Sequence, residues 1–150
     1  MTACRPADLR GQWNIAFSGT GNQFGARWPT GAGAEDIHVI RFAEVLLIKA
    51  ESEARQNKLG EALASLNPVR VRAGLALLVL GVDVVTQQDV IDAVLREWLL
   101  ELAFEGDRWP DLVRTGRAVA VLGIEQFQAL YPIPRAELDV APNLVQNPGY

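Results

Sequence analysis

TQQDVIDAVLREWLLELAFEG, Thr86 to Gly106, is the stretch whose reading decides the fold. Val90, Ile91, Val94, Leu95, Trp98, Leu99, Leu102 and Phe104 recur at helical spacing and mark a wide apolar face. Thr86-x-x-Asp89 has the form of a capping box, with Asp in place of the usual Glu or Gln. Gly106 supplies a stop. The spacing therefore predicts a long buried helix over Gln87–Glu105, and a helix with so broad an apolar face needs neighbours to cover it.

Upstream, Asp36 is a candidate N-cap for a helix from Ile37 to about Gln56. Its buried face is Ile40, Ala43, Leu47, Ala50 and Ala54; three small residues on that face let a neighbouring helix approach closely. Glu51 and Arg55, four residues apart, form a modest surface pair. Asn57-Lys58-Leu59-Gly60 is a short turn, and a second helix runs from about Gly60 through Leu66 toward Gly74. Two helices joined by so few residues are antiparallel neighbours. Ala50-x3-Ala54, a turn, then Leu59-Gly60-x-Ala62 is similar to one tetratricopeptide unit. Pro68 is expected to kink or break the second helix. Leu75 to Val85, apolar without a period, is expected to be a buried loop or short extended segment.

Outside these helices, residues 1–36 hold six of the thirteen glycines and read as loop. Trp13, Phe17, Phe24 and Trp28 lie there; they either pack on the helices or provide a ligand platform. Trp109–Arg114 is a brief helix or turn, and Glu125–Leu130 adds another. The tail from Tyr131 carries four of the eight prolines and cannot form a long helix or a central strand. It is expected to be extended and anchored by Leu138, Val140, Leu144 and Tyr150. The fold class is mainly α: tetratricopeptide-like hairpins, long irregular loops and an extended proline-rich tail.

Composition narrows the function classes. Of 150 residues, 49% are hydrophobic and 21% charged, which argues against disorder. Net charge is −4 and the cations are scattered, so a basic nucleic-acid-binding face is not expected. The longest apolar run, Ala73 to Val82, is too short to span a bilayer. A single cysteine, Cys4, excludes an internal disulfide. Met1-Thr2-Ala3-Cys4 looks like the end of a lipoprotein cleavage box, but no charged and apolar leader precedes it. The chain as given is expected to lack an export signal.

Four blocks then occur in order. They are Ile40-Arg41-Phe42-Ala43-Glu44-Val45-Leu46-Leu47 with Ala50-Glu51, and Leu66-Asn67-x-Val69-Arg70-x-Arg72-Ala73-Gly74. Next come Arg96-x4-Glu101-Leu102-x-x-Glu105-Gly106-x-Arg108-x-x-Asp111-Leu112-x-Arg114, and the ending Tyr131-Pro132-Ile133-Pro134 to Gln146-Asn147-Pro148-Gly149-Tyr150. Together they resemble the C-terminal part of the SusD/RagB family of outer-membrane nutrient-binding lipoproteins. The likeness runs from about Ile37 to Tyr150, with residues 1–36 only loosely alike. It implies two parts: a glycine-rich segment, 1–36, and a helical domain, 37–150, that is a fragment of a larger one. It further implies glycan capture at the cell surface and a SusC-like TonB-dependent transporter as partner, with no cofactor.

The polar residues of these blocks read as scaffolding. Arg41, Glu44, Arg96, Glu101, Glu105, Arg108, Asp111 and Arg114 are expected to form a structural network, because a guanidinium fork can hold a carboxylate bidentately or tie carbonyls to a helix end. Arg108 and Arg114, with Glu105 and Asp111, are expected to lock the turn after the long helix. Trp13, Trp28 and Phe24 are the candidates for stacking on saccharide faces. An enzyme is not expected. Glu101 and Glu105 could pair as glycosidase carboxylates, but acids four apart on a helix are usually solvated or held by arginine. No Cys or nearby Asp in the sequence suggests catalysis at His38, GTGNQFG (19–25) lacks the Lys-Ser/Thr of a phosphate loop, and no metal-ligand spacing is present. The alternative to glycan binding is a helical-repeat module that binds a protein.

Overall fold

The computed structural model describes residues 8–27, 36 and 38–150. They form two compact units, up to Asp107 and from Arg108 onward.

The first unit begins with a short helix α1 (Arg10–Asn14) and a two-stranded antiparallel sheet, β1 (Ile15–Phe17) with β2 (Gln23–Gly25), in which Ala16 lies opposite Phe24. Three longer helices follow: α2 (Phe42–Arg55), α3 (Leu59–Arg72) and α4 (Gln87–Glu101). Their shared core contains Leu47, Ala50 and Ala54 of α2, Ala62, Leu63 and Leu66 of α3, and Val90, Val94, Leu95 and Trp98 of α4. Ala50, Ala54 and Ala62 are fully buried. Small side chains at these positions let α2 and α3 pack closely as an antiparallel hairpin.

Each boundary has a local cause. The hairpin turn is a Schellman motif: the Lys58 N–H donates to the Glu53 carbonyl (2.9 Å) and the Asn57 N–H to that of Ala54 (2.9 Å). Asn57 takes the left-handed conformation this needs (φ 61°), which asparagine tolerates better than most residues. At the end of α3, Gly74 (φ 78°) does the same, with Leu75 N–H donating to the Arg70 carbonyl and Gly74 N–H to that of Val71. The box at the start of α4 is complete: Thr86 Oγ1 accepts from the Asp89 N–H (3.1 Å), and Asp89 Oδ2 accepts from the Thr86 N–H (2.8 Å). These bonds from Thr86, then one from the Val85 N–H, hold the Asp89 carboxyl below its ordinary pKa.

Residues 1–36, read as loop, in fact contribute α1 and the β1–β2 sheet, and the structure departs from the sequence-based expectations in five further places. Helix α2 starts at Phe42, not Ile37, because Arg41 is extended (φ −121°, ψ 151°); Ile40 therefore precedes the helix and is 69% exposed instead of lining the core. Pro68 does not break α3. The carbonyl it leaves without a helical partner belongs to Ala64, and both residues are exposed, so water can satisfy it. Helix α4 ends at Glu101, four residues early, because Phe104 turns into left-handed backbone (φ 67°). Leu75–Val85 is only partly buried: Leu78 and Val84 meet the core, while Leu77, Val79, Val82 and Val85 are exposed. The Asn67 amide fixes this loop by bonding both the N–H (2.9 Å) and the carbonyl (3.1 Å) of Leu78.

The last of these departures lies in the second unit. It holds α5 (Arg108–Arg114), α6 (Ala118–Leu122), a 3₁₀ turn (Gln126–Ala129) and α7 (Arg135–Val140). The tail is thus not extended throughout: α7 forms directly after Pro134, which suits a helix start. Gln146 then acts as a surrogate backbone. Its Oε1 accepts from the Ile133 N–H (2.8 Å) and its Nε2 donates to the Ile133 carbonyl (3.0 Å). Asn147 Nδ2 donates to the Tyr131 carbonyl (2.7 Å) and the Tyr150 hydroxyl to that of Leu130 (2.9 Å). The Tyr150 ring meets Phe127 edge-on, with centroids 5.1 Å apart. Of the expected anchors, Tyr150 is held in this way, whereas Val140 is exposed.

Candidate functional site

Helix α4 and the turn after it carry Glu97, Glu101 and Glu105, spaced four residues apart. Five arginines converge on them from four other segments. Arg10, in α1, donates Nη1 to Glu97 Oε1 (2.6 Å) and to Glu101 Oε2 (3.3 Å), while its Nε and Nη2 bind Asp8 (2.9 and 2.7 Å). From the last turn of α3, Arg70 Nη1 reaches Glu97 Oε2 (2.9 Å) and Arg72 Nη2 reaches Glu101 Oε1. Arg41, at the N-cap of α2, spans both remaining acids. Its Nη1 donates to Glu101 Oε1, its Nε to Glu105 Oε2 and its Nη2 to Glu105 Oε1, each 2.8 Å. That Nη2 also donates to the Glu101 carbonyl (2.8 Å), satisfying an orphan carbonyl at the end of α4. Arg27 Nη2 completes the set on Glu105 Oε1 (2.8 Å).

This ladder is enclosed. The side chains of Glu97 and Glu101 are 1% and 2% exposed. Burial opposes the charge on Glu101, but hydrogen bonds from Arg72 and Arg41, and their positive charges, outweigh it and hold the carboxyl below its ordinary value. Burial likewise opposes charge on Asp8, and the Arg10 hydrogen bonds lower its pKa in spite of it. For Arg10 and Arg41 burial works against the guanidinium, and the facing carboxylates raise both pKa values. The full set, Arg10, Arg27, Arg41, Arg70 and Arg72 against Asp8, Glu97, Glu101 and Glu105, is five cations to four anions.

A cleft of about 390 Å³ opens beside the ladder, lined by Trp13, Asn14, Arg27, Arg41, Arg72 and Glu101 among others. Trp13 is 75% exposed at its edge. Its helix is held from beneath by Arg10 and by the Leu9 N–H bond to the Ala73 carbonyl (3.0 Å). Phe24 is half exposed on β2 and does not line the cleft. Trp28 lies outside the described residues, as does Cys4.

The sequence-derived polar set falls into three groups. Arg41, Glu101 and Glu105 meet in the ladder. Arg108 and Arg114 pair instead with Asp111, at 3.8 and 2.6 Å, inside α5. Glu105 is held by Arg41 and Arg27, so the four residues expected at one turn serve two sites. Glu44 and Arg96 form no ion pair among the described residues. Asp8, Arg10, Arg27, Glu97, Arg70 and Arg72 went unrecognised as ladder members. The spacing of Glu97 four residues before Glu101 was a readable signal; Asp8-x-Arg10, in a glycine-rich segment without periodicity, offered none. No cluster of His, Cys, Asp or Glu among the described residues could hold a metal, and none of their helices is long and apolar enough to cross a membrane.

Comparison with known proteins gives this scaffold a lineage. The SusD family model matches residues 11–125, beginning well before Ile37. A SusD-like protein of Formosa agariphila is 35% identical over 124 residues, covering 77% of this chain and 25% of its own length. The starch-binding protein SusD of Bacteroides thetaiotaomicron is 34% identical over 128 residues, covering 77% of this chain and 22% of its own. This chain therefore spans about a quarter of the curated relatives it matches. Among solved structures, a putative sugar-binding protein from Bacteroides vulgatus superposes with a TM-score of 0.74 at 26% identity, over 97% of this chain and 36% of that one. A SusD homologue from Bacteroides thetaiotaomicron gives 0.67 at 26%, over 91% and 29%. With the family model matched over residues 11–125 and relatives about 35% identical over 77% of its length, the chain belongs to the SusD family.

Proposed function

We propose that this chain is the C-terminal part of a non-catalytic glycan-binding protein that works at the outer-membrane surface beside a SusC-like TonB-dependent transporter. Membership of a family with a starch-binding relative supports the ligand class. The observation that carries the reading is Trp13: a large indole three-quarters exposed on a helix whose neighbouring Arg10 is buried in the ladder. Exposed aromatic rings on rigid supports suit the apolar C–H faces of sugars. Phe24 and Trp28 are the further stacking candidates. The acids that a glycosidase would need are engaged otherwise. Glu101 is enclosed, held by arginines and kept ionised, the reverse of the raised pKa a general acid requires.

The test is calorimetric titration of the full chain with a panel of oligosaccharides, repeated with Trp13→Ala. Binding that weakens about tenfold in the variant, with an unchanged melting temperature, supports the reading. Failure of every saccharide to bind overturns it. Transporter partnership is tested by co-expression with a SusC-like barrel and recovery of a stoichiometric complex from outer membranes.

One observation favours the alternative, a helical module that binds protein. Val39, Ile40, Phe42, Val45 and Ile48 are all exposed at the start and along one side of α2, more apolar surface than a lone helix face usually shows to water. Under that reading saccharides leave the Trp13 fluorescence unchanged.

A further inference from the structure

We infer that the cleft beside Trp13 binds a saccharide carrying an anionic group, a carboxylate or a sulfate. The inference rests on the proposed glycan-binding role for the word saccharide; the cleft itself supplies the rest.

Three features converge there. Asn14 is 4% exposed and its Oδ1 is buried without a hydrogen-bond partner among the described residues. A buried, unmatched acceptor is costly and uncommon in a folded chain. The amide can exchange its oxygen and nitrogen by a flip about its own axis, and so turned it presents the acceptor to the cleft, where a ligand hydroxyl is the donor it lacks. Trp13, at the edge of the same cleft, offers an open ring face. Arg72 has a side chain 56% exposed and, among the described residues, engages only Glu101 and only through Nη2. Its Nε and Nη1 remain to donate. The facing groups do not cancel this charge. Arg27 and Arg41 also line the cleft, Glu101 and Glu105 are already shared among arginines, and the set as a whole carries one excess positive charge. An anion accepting from one of these free Arg72 N–H groups answers that excess with a charge-assisted bond, stronger than one a neutral hydroxyl makes. A volume of about 390 Å³ lies at the small end of ligand pockets and suits one or two sugar rings.

The experiment is calorimetric titration of the full chain with an oligogalacturonide, a sulfated galacto-oligosaccharide and a neutral malto-oligosaccharide, at low and high salt. The expected result is binding of at least one acidic ligand about tenfold tighter than the neutral one, weakening as salt rises. Preference for the galacturonide identifies a carboxylate, preference for the galactan a sulfate. Trp13→Ala and Arg72→Gln are each expected to weaken that binding about tenfold. Asn14→Leu is expected to remove it without lowering the melting temperature, since it deletes an unmatched polar group. A malto-oligosaccharide bound as tightly as the acidic ligands overturns the inference. So does acidic binding that survives all three substitutions. Saccharide binding unaffected by these substitutions leaves the glycan-binding role standing and sinks this cleft; no saccharide binding at all sinks both.

Discussion

Replacing Glu101 by Gln tests the ladder where it is most connected. The carboxylate is 2% exposed and serves three arginines: Arg41 at 2.8 Å, Arg10 at 3.3 Å, and Arg72. Gln keeps the shape but removes the charge and presents an NH₂ to donors. Loss of one partner from a buried ion pair costs about 3–5 kcal/mol. Arg10 retains Asp8 and Glu97, and Arg41 retains Glu105, which places the loss at the low end, about 3 kcal/mol. In a chain of this size that corresponds to a melting temperature about 6–12 °C lower. The assay is urea unfolding followed by far-ultraviolet circular dichroism, with calorimetry for the midpoint. Arg135→Ala is the control. Its pair with Asp139 lies on the surface, with side chains 86% and 58% exposed, and its removal is expected to cost under about 0.5 kcal/mol. A loss at Glu101 no greater than that of the control refutes the ladder as scaffold.

The other expectations are narrower. Asp8 and Glu101 have folded-state pKa values below their ordinary 3.8 and 4.5, so the stability they contribute is complete above about pH 4.5 and is lost as pH falls through the lowered values; a urea midpoint series across that window checks the sign. Thr86→Ala removes the N-cap of α4 and is expected to cost about 1 kcal/mol, read from the same unfolding curves. Gly149→Ala drives a Cβ into the Phe127 side chain at a backbone of φ 96°, so it is expected to release Tyr150, seen as loss of the Tyr150 and Phe127 ring contacts by NMR. Trp13→Ala is expected to leave the unfolding midpoint within about 0.5 kcal/mol of the parent while weakening saccharide binding.

Periodicity carried the reading of α2, α3 and α4 because each buries a continuous apolar stripe, and a stripe is written in the order of residues. The ends of these helices were less legible. Arg41 is held extended while its guanidinium spans to Glu101 and Glu105, sixty and more residues away, and that demand outweighs the helical tendency of His38–Ile40. Phe104 enters left-handed backbone, which its residue type does not announce. Pro68 is tolerated because the carbonyl it leaves unpaired belongs to an exposed residue, Ala64, and exposure is a tertiary fact. The candidate site divides in the same way. Glu101 and Glu105 were visible as a spaced pair, whereas Arg10 and Asp8 could be placed only once the chain brought α1 against the end of α4. The floor of the cleft, Asn14, carries no motif; its meaning lies in a missing partner, which only coordinates display.

The scaffold account turns on the state of one carboxyl. An NMR titration of the Glu101 side-chain carbon in the intact chain measures it directly. The account predicts that Glu101 stays ionised to a midpoint below its ordinary 4.5, with arginines still bound. A midpoint above that value would describe a proton donor rather than a strut, and would contradict it.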